Sequence, residues 1–228
     1  MAIGTVTPIA RKRARRKDAR PGELLDAALD LFVEKGFSAT RAEEVAHRAG
    51  VSKGTLFLYF TSKEELFKAV VRQNISGQLL QWNAQFDGFA GSSAEMLRLC
   101  MGEWWTRIGA TRAGGITKLM LSEARNFPEL AAFYQEEVIR PGQQLIRRIL
   151  QRGVERGEFA PIDARYGSYV VLAPMIFLQM WQHAHGAGQA PADEFRLEPL
   201  QYLEVQLQTI LHGLCVNQRP LRNARGQT

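Results

Sequence analysis

The chain has little of what covalent chemistry needs. Its 228 residues include two cysteines, Cys100 and Cys215, which lie far apart and outside any CxxC or cysteine–histidine spacing. A disulfide framework or a zinc site is therefore unsupported; buried free thiols are the default and a redox switch the alternative. His183 and His185 are spaced by two, so on a helix they point apart and form no metal pair. Gly114-Gly115 has no strand before it and resembles a hinge rather than a phosphate loop. No nucleophile–base set or paired-acid site has recognisable spacing, so an enzyme reading has no residues to carry it and no cofactor is implied. Long hydrophobic runs are missing as well. The longest, "YVVLAPMIFLQMW" from Tyr169 to Trp181, is too short to span a bilayer and contains Gln179. No apolar stretch follows the N-terminal arginines before Pro21, as a signal peptide would require. These absences point to a soluble, cytoplasmic protein with no membrane partner.

Net charge is also absent from most of the chain. There are 29 basic and 23 acidic residues, and residues 1–20 take seven of the first (Arg11, Lys12, Arg13, Arg15, Arg16, Lys17, Arg20) and one of the second, Asp18. The remainder is balanced, so the whole basic excess sits in one N-terminal arm. Such a block reads as an arm for nucleic acid or a membrane surface, or as a solvated tail.

What is present is helical periodicity almost throughout, with no strand alternation and no repeat. A first helix is expected from about Pro21 to Lys35, with Leu24, Leu25, Ala28, Leu31 and Phe32 as its apolar stripe and Gly36 as its terminator. "TRAE" then reads as a capping box of Thr40 and Glu43 that opens a second helix closed by Gly50. Ser52 caps a very short third helix, and "SKEE" (Ser62 to Glu65) reads as a second capping box opening a long fourth helix. Five further helices fit at roughly 93–109, 115–125, 128–156, 163–185 and 195–214, separated by glycine- and proline-rich breaks.

Two short helices joined by a glycine turn make a helix-turn-helix, whose second helix lies in the major groove of DNA. Gly50 permits the left-handed turn and Val51 fills the gap between the helices. Gly54 lets the third helix's N-terminus approach a phosphate, Lys53 adds a point charge for the same backbone, and Thr55 offers a hydroxyl and a methyl to base edges. Leu56 and Phe60 should face inward. Phe57, Leu58 and Tyr59 fall on or near the DNA side, with Lys63, Thr40 and Arg41 as further phosphate clamps.

The stretch "LLDAALDLFVEKGFSATRAEEVAHRAGVSKGTLFLYFTSKEELFKAVV" resembles the N-terminal DNA-binding domain of the tetracycline-repressor (TetR) family. The resemblance implies an all-α fold of about nine helices, in which three bind DNA and a larger helical domain carries an effector pocket and a dimer interface. On that basis residues 1–20 are the basic arm, 21–66 the DNA-binding domain, 67–217 the effector and dimerisation domain, and 218–228 a C-terminal tail. Carried over by position, Thr40 and Arg41 match backbone or groove contacts. Lys53, Gly54 and Thr55 match the recognition-helix start, and Tyr59 and Lys63 match phosphate contacts. Phe57 departs from the pattern, since many members carry tyrosine there, and Leu58 sits where members vary and is a candidate for sequence preference. The arginine arm could then reach an adjacent minor groove or track phosphates.

Beyond residue 85 the likeness is a general one, carried by "LSEARNFPELAAFYQEEVIRPGQQLIRRILQRGVERGEF". Polar or aromatic residues on the apolar middle helices are the candidates for an effector cavity: Trp104, Trp105, Arg107, Glu123, Asn126, Tyr134, Gln179 and His183. The tryptophan pair hints at an aromatic or otherwise bulky apolar effector. Two unusually apolar C-terminal helices, carrying Tyr169, Leu172, Ile176 and Trp181 on one and Leu203, Leu207, Ile210, Leu211 and Leu214 on the other, are expected to pair with their copies in a homodimer. The function expected is that of a dimeric, sequence-specific regulator, a repressor released from its operator by a small molecule. The alternative is a helical DNA-binding adaptor or architectural protein without a ligand.

Overall fold

The apolar stripe of the first helix does what its spacing demands. In a computed structural model of the chain, which describes the backbone of residues 9–185 and 197–214 and the side chains of 21–183 and 197–213, helix α1 (Ile9–Ala39) buries Leu24, Ala28, Leu31 and Phe32. It starts well before Pro21. Proline's fixed φ suits a helix, and α1 continues through it at the loss of one backbone bond. The second half of the expected basic arm, residues 9–20, is therefore helical backbone, a correction to the anticipated start at Pro21. Residues 1–8, the arm's side chains, the 186–196 segment, Cys215 and the tail at 218–228 lie outside the described residues. Gly36 breaks α1 with φ 85° and ψ 167°, a left-handed φ that favours glycine.

After that break come α2 (Ala42–Arg48) and α3 (Lys53–Tyr59), joined through Gly50 at φ 68°. The cap of α2 differs from expectation. Thr40 does not cap forward: its hydroxyl is buried and donates back to the carbonyls of Leu31 (3.1 Å) and Gly36 (2.7 Å). The bond to Gly36 satisfies a carbonyl that the kink takes out of the regular helix, and the bond to Leu31 ties Thr40 to the turn before it. Arg41 takes the N-cap position, its backbone N–H donating to the carboxylate of Glu44 at 3.3 Å. Ser52 caps α3 by accepting from the Thr55 N–H at 3.1 Å. Ser62 likewise caps α4 (Lys63–Val71), but half the expected box is missing, because Glu65 pairs with Lys68 instead of reaching back.

From α4 the chain runs on without a break through a π-helical turn (Arg72–Ser76) into α5 (Gly77–Phe86). A capping box of Ser92 and Glu95 opens α6 (Ser93–Trp104), which ends in a second π turn, Trp105–Gly109. Then follow α7 (Gly114–Glu123), α8 (Pro128–Tyr134), a third π turn (Gln135–Ile139) leading into α9 (Arg140–Glu155), and α10 (Ala164–His185) and α11 (Pro199–Leu214). With each π turn counted as part of its rod, the described residues form nine continuous helices and no strand.

One buried apolar cluster runs from Leu24 on α1 to Leu207 on α11. Within the N-terminal head the rings of Phe32, Phe37 and Phe67 meet one another at 5.3–5.6 Å. Phe67, the first residue of the expected second domain, puts its ring into this head cluster. Phe127, from the α7–α8 turn, sets its ring edge against Phe37 at 4.8 Å, so the body of the protein touches the head directly.

Candidate DNA-binding face and ligand cavity

Helix α3 is anchored by one side chain and free on the opposite face. Leu56 is fully buried, whereas Phe57 is 39% and Leu58 83% exposed. Lys53 and Gly54 are exposed beside them, and a methyl added at Gly54 would meet nothing closer than Ser52 Oγ at 3.8 Å, so the N-terminus stands open to an approaching backbone. The Thr55 hydroxyl lies 2.9 Å from Ser52 Oγ. Tyr59 and Phe60 are half-buried and pack on the core. The Lys53 ammonium pairs with Glu43, holding that carboxyl below the usual carboxylate range, and lies 5.8 Å from the centre of the Phe57 ring. Arg41 is exposed.

Two of the anticipated clamps are occupied elsewhere. Thr40 is buried by its bonds to α1. Lys63 donates to the carbonyls of Phe37 (2.8 Å), Thr40 (3.1 Å) and Ser38 (3.3 Å), and sits 4.4 Å over the Phe37 ring. Three carbonyls and a ring face hold this cation in the α1–α2 turn, where it ties the turn to α4 rather than standing free for a phosphate. A lysine at a helix start reads the same in either role, so sequence could not separate them.

The second feature is a cavity of about 400 Å³ enclosed by α5 to α10. Its wall is almost wholly apolar, and none of the residues that line it is charged. All three π turns contribute to it, through Ile75, through Ile108, and through Gln135, Val138 and Ile139. A π turn inserts a residue into the helical repeat and widens the rod locally, and such turns gather at functional sites. Of the eight anticipated cavity residues, Trp104, Tyr134 and Gln179 line it. Trp105 is buried beside Trp104 (ring centres 6.0 Å apart) but does not reach the wall. Arg107 pairs with Glu103 at the surface, and Asn126 is exposed. His183 packs against Gly114, burial pushing its pKa down.

Glu123 has a different place altogether. Its carboxylate accepts the backbone N–H groups of Phe37 (2.9 Å) and Ser38 (3.3 Å) in the head. Its helix, α7, meanwhile walls the cavity with Thr117, Met120, Leu121 and Ala124 at its end. Sequence reasoning missed this tie, since a glutamate at a helix end carries no sign of a partner 86 residues away.

The residues expected at a dimer interface fall in several environments. Tyr169, Leu172 and Ile176 line the cavity, and Leu203 and Leu207 are buried within the chain. Trp181, Ile210 and Leu211 are half-buried, and the side chain of Leu214 lies outside the described residues. The exposed apolar residues of α10 are Tyr166, Tyr169, Val170, Ala173, Phe177 and Met180, of which Tyr169 and Ala173 also border the cavity; Leu200 and Val205 are exposed on α11. α10 is apolar on nearly every side, so its periodicity could not tell the outward row from the inward one. Among the described residues, no helix is long and apolar enough to cross a membrane, and no three His, Cys, Asp or Glu side chains gather as metal ligands.

A chain whose described residues are all helical, with an exposed recognition helix at one end and a partly open apolar cavity at the other, is a helix-turn-helix DNA-binding protein with a separate ligand chamber. It belongs to the TetR family of bacterial transcriptional regulators. Residues 24–70 match the family model "Bacterial regulatory proteins, tetR family", and residues 90–195 match "Tetracyclin repressor-like, C-terminal domain". The chain is 30% identical over 149 residues to the uncharacterized HTH-type transcriptional regulator YfiR of Bacillus subtilis, covering 64% of this chain and 71% of that one. It is 29% identical over 178 residues to the HTH-type transcriptional regulator RutR of Escherichia coli, covering 71% and 74%. Among solved structures it shares the fold of Bacillus subtilis FadR in complex with stearoyl-CoA, with a TM-score of 0.70 at 18% identity, covering 84% of this chain and 97% of that one. The ketosteroid transcriptional regulator KstR2 of Mycobacterium tuberculosis has a TM-score of 0.62 at 20% identity, covering 86% and 95%. These relatives are regulators of transcription, and none of them is named as an enzyme.

Proposed function

We propose that the chain is a cytoplasmic, homodimeric repressor that leaves its operator when a small molecule enters the α5–α10 cavity. One observation carries the reading: α7 walls the cavity along one face and holds the α1–α2 turn of the head through Glu123. A ligand that presses on the wall therefore presses on the element that positions the DNA-binding helices. The body would begin beyond Val70, where α4 leaves the head. DNA is met by Lys53, Gly54, Thr55, Phe57 and Leu58, with Arg41 and Tyr59 at the edge of that face and the basic arm beyond. Two heads on one duplex would read two half-sites related by the dimer axis. The dimer forms through Tyr166, Val170, Phe177 and Met180 of α10 with Leu200 and Val205 of α11, an apolar row exposed in the single chain. Relatives with repressor names, KstR2 of Mycobacterium tuberculosis among them, support the sign of regulation.

The test is to select bound duplexes from a random pool and weigh the complex by light scattering. A site with two inverted half-sites and a mass of two chains per duplex are expected. A site without internal symmetry, bound by a single chain, would overturn the dimeric reading.

A further inference from the structure

We propose that the cavity takes an uncharged, largely apolar small molecule bearing one carbonyl oxygen, which accepts a hydrogen bond from the side-chain amide of Gln179. The proposal rests on the reading of the cavity as the effector site and narrows it to a ligand class. The buried polar atoms of the wall decide the class, since Gln135 and Tyr169 of the same wall are exposed to water and Gln143 is half-buried. Thr117 and Tyr134 satisfy each other, their hydroxyl oxygens 2.9 Å apart. Gln179 does not share that comfort: it is 2% exposed, lines the cavity, and its amide nitrogen is buried with no hydrogen-bond partner. A buried N–H donor without an acceptor is a standing cost, and a ligand oxygen removes it.

The wall also stays neutral. Burial pushes the Cys100 thiol up to about 12 and the Tyr134 phenol up to about 12, so neither supplies an anion near neutral pH. His183, next to Gln179 across Gly114, is driven toward its neutral form by burial and by the Lys118 charge. No charged side chain stands in the wall: Arg72–Glu137, Arg107–Glu103 and Arg140–Glu136 pair outside it, and Arg147 of α9, whose Nε is buried without a partner, is not among the lining residues. No cation is therefore available to hold a carboxylate or a phosphate, and no anion to hold an amine. A fatty acid could enter as its neutral form. With a free pKa near that of a glutamate side chain, about 4.3, that form is roughly one part in a thousand at pH 7.3.

The experiment uses the full chain and the fluorescence of Trp82 and Trp104, which stand in the wall. Three probes of one length, 2-decanone, decanoate and decylammonium, are titrated at pH 7.3 and again at pH 6.3. The ketone is expected to bind at least about 100-fold more tightly than either ion at pH 7.3. Its affinity should not change with pH, while that of decanoate should rise about tenfold at pH 6.3. Gln179→Leu, close in volume, should keep the fold and weaken the ketone about three- to tenfold. Decanoate or decylammonium binding within tenfold of the ketone, ketone binding untouched in Gln179→Leu, or no binding of the ketone at all would each overturn the proposal. If the ketone binds as stated but leaves operator affinity unchanged, the ligand class holds and the effector reading of the cavity falls.

Discussion

Replacing Glu123 by alanine cuts the tie between the cavity wall and the DNA head, and the structure sets its size. Two backbone N–H groups lose a carboxylate acceptor: that of Phe37, part-buried at 2.9 Å, and that of Ser38, exposed at 3.3 Å. A hydrogen bond to a charged group contributes about 1.5–3 kcal/mol, and the longer, exposed one falls at or below the bottom of that range. A net cost of about 2 kcal/mol follows for Glu123→Ala, which in a chain of this size lowers the melting temperature by about 4–8 °C. Glu123→Gln keeps one acceptor oxygen and should lose about half as much. Thermal melting gives the first number, and operator titration with and without a cavity ligand gives the second. Ligand affinity should persist, while the ligand-induced loss of DNA affinity should shrink toward none, because the wall no longer grips the turn. Gly36→Ala supplies an independent check. Its Cβ would lie 2.6 Å from Glu123 Oε1 at φ 85° and ψ 167°, a region almost confined to glycine, so it adds a clash to a backbone strain of about 1–3 kcal/mol. In the double variant the clash disappears and the strain stays, so the two costs should sum to more than the measured total. A Glu123→Ala protein that melts within a degree of the parent and releases DNA as the parent does would refute the tie.

Lys63→Met should lower stability by about 1–2 kcal/mol through its lost carbonyl bonds, and weaken DNA binding without changing the salt slope. A slope reduced by about one would restore Lys63 as a phosphate contact. Phe177→Glu or Val170→Glu should halve the mass seen by light scattering, since each puts a charge into the exposed apolar row of α10; a mass that stays at two chains would place the interface elsewhere. Cys100, its thiol pushed to about 12 against about 8.5 when unfolded, contributes stability that is whole below about pH 8.5 and is lost as pH rises from there toward 12. Alkylation of Cys100 at pH 8 should therefore await unfolding, and rapid labelling of the folded chain would show the wall to be open.

How much of this was legible depended on whether a residue's role is local. Gly36, Gly50, Ser52 and Ser62 mark helix ends through their own backbone chemistry, and the nine rods fall close to where those marks place them. Leu56 inward and Leu58 outward follow from helical spacing alone. The π turns left no signature, because nothing in "WTRIG" or "QEEVI" differs from ordinary helix. The cavity was illegible for a related reason: Ile75, Met120 and Leu145 line it with side chains that would serve equally as core. The contacts of Thr40, Lys63 and Glu123 within the chain were illegible because each answers a demand set by tertiary structure, the backbone carbonyls and N–H groups around the kink at Gly36.

That kink makes the α1–α2 turn the point on which the two halves of the molecule converge. Its groups are held from the head by Thr40, from α4 by Lys63, and from the body by Glu123 and the ring of Phe127. The opposite end of α7 is fixed as closely, Gly114 against Gln179 and His183 and Gly115 against Val33 of α1, where an added methyl would lie 2.5 Å from a Val33 methyl. A helix of ten residues is about 15 Å long and stiff. With Gln179 at one end, the α1–α2 turn at the other and the cavity along its side, α7 has little freedom to absorb a ligand by bending. A shift of its wall must appear at Phe37, at Val33, or at both. Since α1, α2 and α3 pack on one another around Leu56, Val45 and Phe32, such a shift moves the recognition helix with the head as a body. On the proposed function, a ligand would then alter the spacing of the two heads on a duplex rather than the surface of α3 itself.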